Sequence, residues 1–114
     1  MEQLIKNIAH ATILPLAEEV SYQPDQIVSK TLAQNWHHSL TLFAFDKGEE
    51  ISTHESSGDA MILALDGTGK ITIDSTEYLL NAGETIIMPA QKPHAVFAEE
   101  RFKMFLIVMF PESN

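Results

Sequence analysis

The sequence predicts an all-β fold, a barrel or sandwich of seven or more short strands. Apolar and polar residues alternate with period two in most segments, as side chains on a strand do. Turn signals built around glycine, proline and asparagine recur about every eight to twelve residues, and almost no segment keeps a helical period. At 114 residues the chain fits a single domain with one core.

Composition excludes several classes of function. The chain has no cysteine, so disulfides, thiolate metal sites and cysteine nucleophiles are all excluded. Seven basic and 16 acidic residues give a formal net charge of −9, which disfavours nucleic acid and anionic membranes as partners. No apolar stretch approaches the roughly 20 residues of a membrane span, and the N-terminus does not resemble a secretion signal. We therefore expect a cytoplasmic protein.

The first part of the chain predicts an arm followed by a strand. Residues 1–25 form the predicted N-terminal arm, where Leu4, Ile8 and Ala11 have helical spacing but Pro15 limits any helix to a short turn. Pro24 and Asp25 signal a turn. The β-branched residues of the segment QIVSKTLAQ then indicate a first strand.

The next strand is apolar on both faces. Leu40, Leu42 and Ala44 share one face, and Thr41, Phe43 and Phe45 share the other. A strand of this kind is typical of the inside of a sandwich or of a subunit interface. A turn at residues 46–48 leads to a further strand from Ile51 to His54.

Two hairpins are predicted in the middle of the chain. In DAMILALDG the small residues Ala60 and Ala64 share a face with Ile62, which leaves space on that face. The sequence DGTG indicates a hairpin turn, because glycine tolerates positive φ. The strand KITID follows, and STE predicts a second turn before YLL.

Two strands complete the predicted fold. Pro89 ends the strand ETIIM, because proline cannot donate to a ladder. Glu99, Glu100 and Arg101 predict a solvated turn. The alternation in FKMFLIVMF then favours a long final strand.

Two glycine-started segments between residues 48 and 97 each deliver an isolated histidine, and their spacing resembles the two motifs of the cupin superfamily. Gly48, His54 and Gly67 match the first motif, in which Ser56 replaces the second histidine and Ala60 replaces the glutamate. Gly83, Pro89 and His94 match the second motif, in which Gln91 replaces the middle glycine. The first motif therefore lacks two of the four metal ligands of the family.

The resemblance implies a double-stranded β-helix, or jelly-roll, barrel over residues 26–114, following the arm. It also implies that His54 and His94 lie together inside the barrel. It does not fix the chemistry, because cupins include dioxygenases, isomerases, storage proteins and ligand-binding regulatory domains.

The candidate site is a ligand pocket containing His54, His94, Met61, Met88 and Phe97. Other methionine and phenylalanine residues are further candidates for its walls, because these side chains adapt to ligands, although most are expected to be ordinary core: Phe43, Phe102, Met104, Phe105 and Met109.

His54 and His94 are also candidate metal ligands, since imidazole binds divalent transition metals such as Zn, Fe, Mn or Ni. A third ligand would come from His37, His38, Glu55 or Asp59, with His38 preferred if it points inward. Asp59 follows SSG and is more simply interpreted as a turn residue. No metal or other cofactor is certain, and we expect any metal to bind weakly.

The leading hypothesis is a cupin barrel that binds a small molecule in an apolar pocket. The alternative is a metal-dependent enzyme, a dioxygenase or isomerase, that uses the two histidines and a third ligand. An interaction protein that only presents a surface is a third possibility. No catalytic residue can be named, because no nucleophile triad or phosphate loop is present. The strand with two apolar faces and the apolar final strand also predict a homodimer.

Overall fold

The computed structural model describes residues 3–112, whose regular secondary structure is almost entirely β-strand. One 3-10 turn spans Leu16–Glu19. Seven strands follow it: β1 (Ile27–Gln34), β2 (His38–Phe45), β3 (Glu50–His54), β4 (Asp59–Ile73), β5 (Thr76–Asn81), β6 (Thr85–Met88) and β7 (His94–Met109). The predicted all-β class is confirmed.

The strands form one antiparallel sheet with the order β1-β2-β7-β4-β5, while β3 pairs with β7 and β6 pairs with β4. The two long strands, β4 and β7, change neighbours along their length. β4 pairs with β6 over residues 60–63 and with β5 over residues 68–73. This exchange curves the sheet around an interior, and because β1 and β5 remain at its ends, the sheet is not a closed ring.

The core has two parts, one on each side of β2. The inner part contains large fully buried side chains from three strands, Phe45 of β2, Ile62 and Ile71 of β4, and Phe102 and Met104 of β7. The outer part contains Val20, Leu32, Leu42 and Ala44. The prediction that β2 is covered on both faces is thus confirmed, and on the outer face the chain's own N-terminal segment contributes to the cover.

Polar contacts tie the N-terminal segment to the sheet. The Lys6 amide donates to the Leu32 carbonyl at 2.7 Å, and the Lys103 ammonium donates to the Ala17 carbonyl at 2.7 Å. Arg101 and Lys103 also lie over the ring of Tyr22, at 5.2 and 4.9 Å. No helix forms before Pro15 in the described residues, as expected. The boundary at residues 25 and 26 stays a prediction.

The predicted hairpin at DGTG is wrong, because residues 66–69 lie inside the continuous strand β4. Gly67 has a φ of 74°, and a Cβ there would lie 1.6 Å from the Arg101 carbonyl oxygen. The register with β7 shifts between Ala64 and Asp66 and again between Gly67 and Gly69. The glycines therefore serve close approach and β-bulges rather than a chain reversal.

The predicted turn at Glu99–Arg101 is wrong as well, because these residues lie within β7. Their side chains point to solvent and pair with charges on neighbouring segments. Arg101 donates to Asp46 at 3.0 Å, and Lys70 lies 3.8 Å from Glu99. The final strand consequently begins at His94 instead of Phe102.

Other predicted boundaries agree with the structure. β1, β2 and β6 lie at the expected positions. The turn predicted at STE occurs one residue earlier, at Asp74 and Ser75, because Thr76 already belongs to β5. Between residues 3 and 112 there is no helix long and apolar enough to cross a membrane.

Candidate functional site

The ends of β3 and β7 place His54 beside His94. β3 ends at His54 and β7 begins at His94, and the two residues are opposite each other in the antiparallel register. The loop before β7 is held in place by Gln91, whose backbone amide donates a hydrogen bond to the Ser56 carbonyl at 2.8 Å. Gln91 has a φ of 64°, the conformation for which glycine is favoured at this position of the motif.

The two imidazole rings meet edge to face, with their centroids 4.3 Å apart. The Nδ1 atom of His54 lies 2.9 Å from the Ser52 carbonyl, and that of His94 lies 3.1 Å from the Lys92 carbonyl. Since a carbonyl oxygen only accepts, each Nδ1 carries the proton in the neutral ring. The two Nε2 atoms then face each other at 3.1 Å.

The two histidines differ in exposure. His94 is buried, at 4% exposure, whereas His54 is exposed at the rim. Burial lowers the pKa of His94, and His54 adds to the lowering, while the Lys92 carbonyl and the Glu55 carboxylate act in the opposite direction. The environment of His94 therefore favours its neutral form.

Both histidines line a cavity of about 320 Å³, within the range of small-molecule sites. Its walls are mostly apolar side chains from the inner face of the sheet. Ala60, on the small-residue face of β4, leaves the space open. The other lining residues are Phe43, Ile51, Glu55, Ser56, Met88, Val96, Met104, Leu106, Val108 and Phe110.

Of the three further residues predicted for the pocket, only Met88 lines this cavity. Met61 and Phe97 lie outside it, because side chains alternate along a strand and both have the wrong parity. Met61 neighbours the inward-facing Ala60 and lies in a shallow outer groove with Ile87 and Met109. Phe97 neighbours the cavity residue Val96, and its ring lies under Lys70 at 5.1 Å.

Several cavity residues were missed by the sequence reasoning. Val96 could have been found from its parity with His94, and Leu106 and Val108 from their parity with Met104. Ile51 has no such signal, because the register with β7 shifts between Ile51 and His54.

Of the four predicted third metal ligands, Glu55 lines the cavity with the two histidines, whereas His37, His38 and Asp59 do not. His38 starts β2, where its Nε2 lies 3.2 Å from the Asn35 amide nitrogen, and it does not line the cavity. Asp59 starts β4, and its carboxylate accepts a hydrogen bond from the Ala90 amide at 2.8 Å. His37 lines a separate groove beside Trp36.

The donor set does not match a standard metal site. Within residues 3–112 no group of three or more His, Cys, Asp or Glu side chains is placed to hold an ion. At the two positions where the family has ligands, Ser56 accepts from the Gly58 amide at 3.1 Å, and Ala60 is buried and apolar. Two imidazole nitrogens are fewer than the three protein ligands of a catalytic zinc site.

Comparison with known proteins identifies relatives of this fold. Residues 41–110 match the family described as cupin domain. A conserved protein of unknown function from Streptococcus pyogenes is 46% identical, with a TM-score of 0.96 over 98% of both chains. A cupin superfamily protein from Desulfitobacterium hafniense is 34% identical, with a TM-score of 0.90 over 94% of this chain and 98% of that chain.

A more distant structure shares only the fold. The salicylate 1,2-dioxygenase from Pseudoaminobacter salicylatoxidans is 16% identical, with a TM-score of 0.67 over 73% of this chain and 26% of that chain. Comparison with curated proteins gave no match. The family match covers more than half of the chain, and the chain therefore belongs to the cupin family.

Proposed function

We propose that this cupin barrel binds a small molecule in the cavity that contains His54 and His94. The observation that carries the proposal is the combination of an apolar cavity of about 320 Å³ with two converging imidazole nitrogens. Apolar walls supply binding energy, and a few fixed polar groups orient the ligand.

The side chains that line the cavity are better suited to binding a ligand than to packing a closed core. Met88 and Met104 are almost fully buried, yet they border open space, and methionine adapts its shape to a partner. The histidine rings are each fixed by a backbone carbonyl, so their Nε2 atoms keep their direction before any ligand arrives. Such preorganisation lowers the entropy lost on binding.

The methionines allow a direct test. Met88 and Met104 line the cavity, whereas Met61 and Met109 lie in the outer groove and serve as internal controls. In protein labelled with carbon-13 at the methionine methyl groups, we expect phenethyl alcohol to shift the Met88 and Met104 signals selectively and saturably. Single methionine-to-leucine variants assign the signals. Equal shifts at all four methionines, or none up to the solubility limit, would refute a binding cavity.

A metal-dependent enzyme, a dioxygenase or isomerase, is the second candidate. It is favoured by the 3.1 Å separation of the two Nε2 atoms, which lets both reach one ion at the roughly 2.0–2.1 Å typical of Zn–N contacts. Against it counts the finding that, among the residues the structure describes, no group of three or more His, Cys, Asp or Glu side chains is placed to hold an ion. We therefore propose that any divalent transition metal binds weakly.

Metal analysis of untagged protein, purified without chelators, distinguishes the two candidates. We expect clearly less than one equivalent of metal, and we expect the double variant Ser56→His with Ala60→Glu to retain more, because it restores an imidazole and a carboxylate at the motif positions. One full equivalent in the unaltered protein, lost in His54→Ala and in His94→Ala, would make the enzyme the better hypothesis.

A further inference from the structure

The imidazole and carboxylate groups around the cavity offer acceptors and negative charge, while Ser56, whose Oγ accepts from the Gly58 amide, adds one hydroxyl. Each Nδ1–H is already bonded to a carbonyl, so a neutral His54 and a neutral His94 present only lone pairs at Nε2. A hydrogen bond directly between these atoms would require one ring to become an imidazolium. Burial of His94 opposes that charge, so in the neutral pair neither Nε2 atom can donate to the other.

The charges beside the acceptors are also one-sided. Glu55 lines the same cavity, next to His54 in the sequence. Among residues 3–112, no lysine or arginine lines the cavity, and the whole chain carries a formal net charge of −9. An anionic ligand would therefore lose its hydration without gaining a countercharge, whereas a cation would be attracted by Glu55.

We propose that the cavity takes an apolar molecule with a primary ammonium group, whose N–H donors bind the Nε2 atoms of His54 and His94 beside the Glu55 carboxylate. An ammonium group suits this geometry because it offers three donors, and two acceptors separated by 3.1 Å can bind one nitrogen together. A hydroxyl group has one donor and satisfies only one of the two. This inference rests on the proposed small-molecule function and specifies its ligand class.

His54 at the rim also sets the depth of the ligand. His54 is exposed while His94 is buried, so a group bound between them lies at the boundary of the cavity. The ammonium group then remains partly hydrated and avoids the full cost of burying a charge. The apolar part of the ligand extends toward Met88, Met104 and Leu106.

Four probes that share a phenethyl group test the ligand class: phenethylamine, phenethyl alcohol, hydrocinnamate and ethylbenzene. Binding is followed through the Met88 and Met104 methyl signals, with Met61 and Met109 as controls. We expect the amine to bind about tenfold more tightly than the alcohol, because charge-assisted hydrogen bonds are roughly twice as strong as neutral ones. We expect hydrocinnamate to bind more weakly than the alcohol.

Two variants locate the polar contacts. Glu55→Gln should weaken binding of the amine about three- to tenfold and leave that of the alcohol unchanged. Glu50→Gln, a control on β3 outside the cavity, should change neither. His94→Phe keeps an aromatic ring without an acceptor and should abolish the preference for the amine. A thermal melt of each variant confirms that it is folded.

The outcomes separate this inference from the proposed function. If the alcohol or ethylbenzene binds as tightly as the amine, the cavity is a binding site but the inference is wrong. Tighter binding of hydrocinnamate, or a Glu55→Gln variant with unchanged amine affinity, would also overturn it. If none of the probes reaches the cavity, both the inference and the proposed function fail.

Discussion

Replacing Gly67 by alanine should break the contact that keeps β4 and β7 paired across the middle of the barrel. Gly67 has a φ of 74°, and an added Cβ would lie 1.6 Å from the Arg101 carbonyl oxygen. Gly83 is the matched control, since its φ is 90° but no atom lies within 4 Å of an added Cβ. The two substitutions share the backbone strain, and only Gly67→Ala adds a steric clash with the main chain.

The free energies follow from these two contributions. A left-handed conformation costs a non-glycine residue roughly 1–2 kcal/mol, which is our expectation for Gly83→Ala. The clash adds about 1–3 kcal/mol, as overpacking does, so Gly67→Ala should cost about 2–5 kcal/mol. Urea unfolding followed by far-ultraviolet circular dichroism gives both values by linear extrapolation.

The effect should reach the site as well. β4 pairs with β7 from Asp59 opposite Met109 to Ile73 opposite His94, so opening the ladder at Gly67 displaces the start of β7. We expect Gly67→Ala to weaken phenethylamine binding and Gly83→Ala to leave it unchanged. Equal unfolding free energies for the two variants would refute the close-approach explanation of this glycine.

Three further predictions concern pH, core packing and assembly. The backbone amide of Asp25 and, to a smaller extent, the Arg101 guanidinium lower the pKa of Asp46. The contribution of the Asp46 carboxylate to stability is therefore complete above about pH 4, near its pKa in the unfolded chain, and is lost as the pH falls through its lower pKa in the folded protein. Asp46→Asn should remove that part of the acid dependence of the urea midpoint. Ile71→Ala should cost roughly 2–5 kcal/mol because the side chain is fully buried, while a melt of His54→Ala should show a much smaller loss. We propose a homodimer through the outer groove that contains the exposed Ile87, so light scattering should show a monomer for Ile87→Lys and a dimer for the control Leu79→Lys; a monomeric unaltered protein would contradict this.

The sequence predicted those features of the fold that depend on side-chain alternation within one strand. β2 shows this, because the parity of Leu42 and Phe45 correctly assigned apolar cover to both of its faces. The same alternation could not show that the chain's own N-terminal segment contributes to the cover on the outer face, since such a contact depends on residues far apart in sequence. Val20 reaches Leu42 only after the chain has turned at Pro24 and run along β1.

Glycine caused the main error in the fold prediction, because one residue type serves two physical needs. At Gly48 and Gly83 positive φ occurs in open space at turns, as the sequence suggested. At Gly67 a positive φ occurs inside a strand, where the neighbouring main chain leaves no room for a Cβ. The two cases differ only in whether main-chain atoms of a neighbouring strand lie against the glycine, and the local sequence DGTG does not contain that information.

At the candidate site, too, the local sequence pattern predicted some features, while others depend on the folded backbone. The spacing from Gly48 to His54 and from Gly83 to His94 indicated that two separate strands each deliver one histidine, and the register places the two side chains opposite each other. The direction of the imidazole nitrogens could not be predicted, because it depends on the Ser52 and Lys92 carbonyls, each two residues before its histidine. These identical offsets fix both rings through Nδ1 and leave both Nε2 atoms as acceptors. The preference that we propose for a ligand that brings donors therefore depends on the backbone carbonyls beside the two histidines.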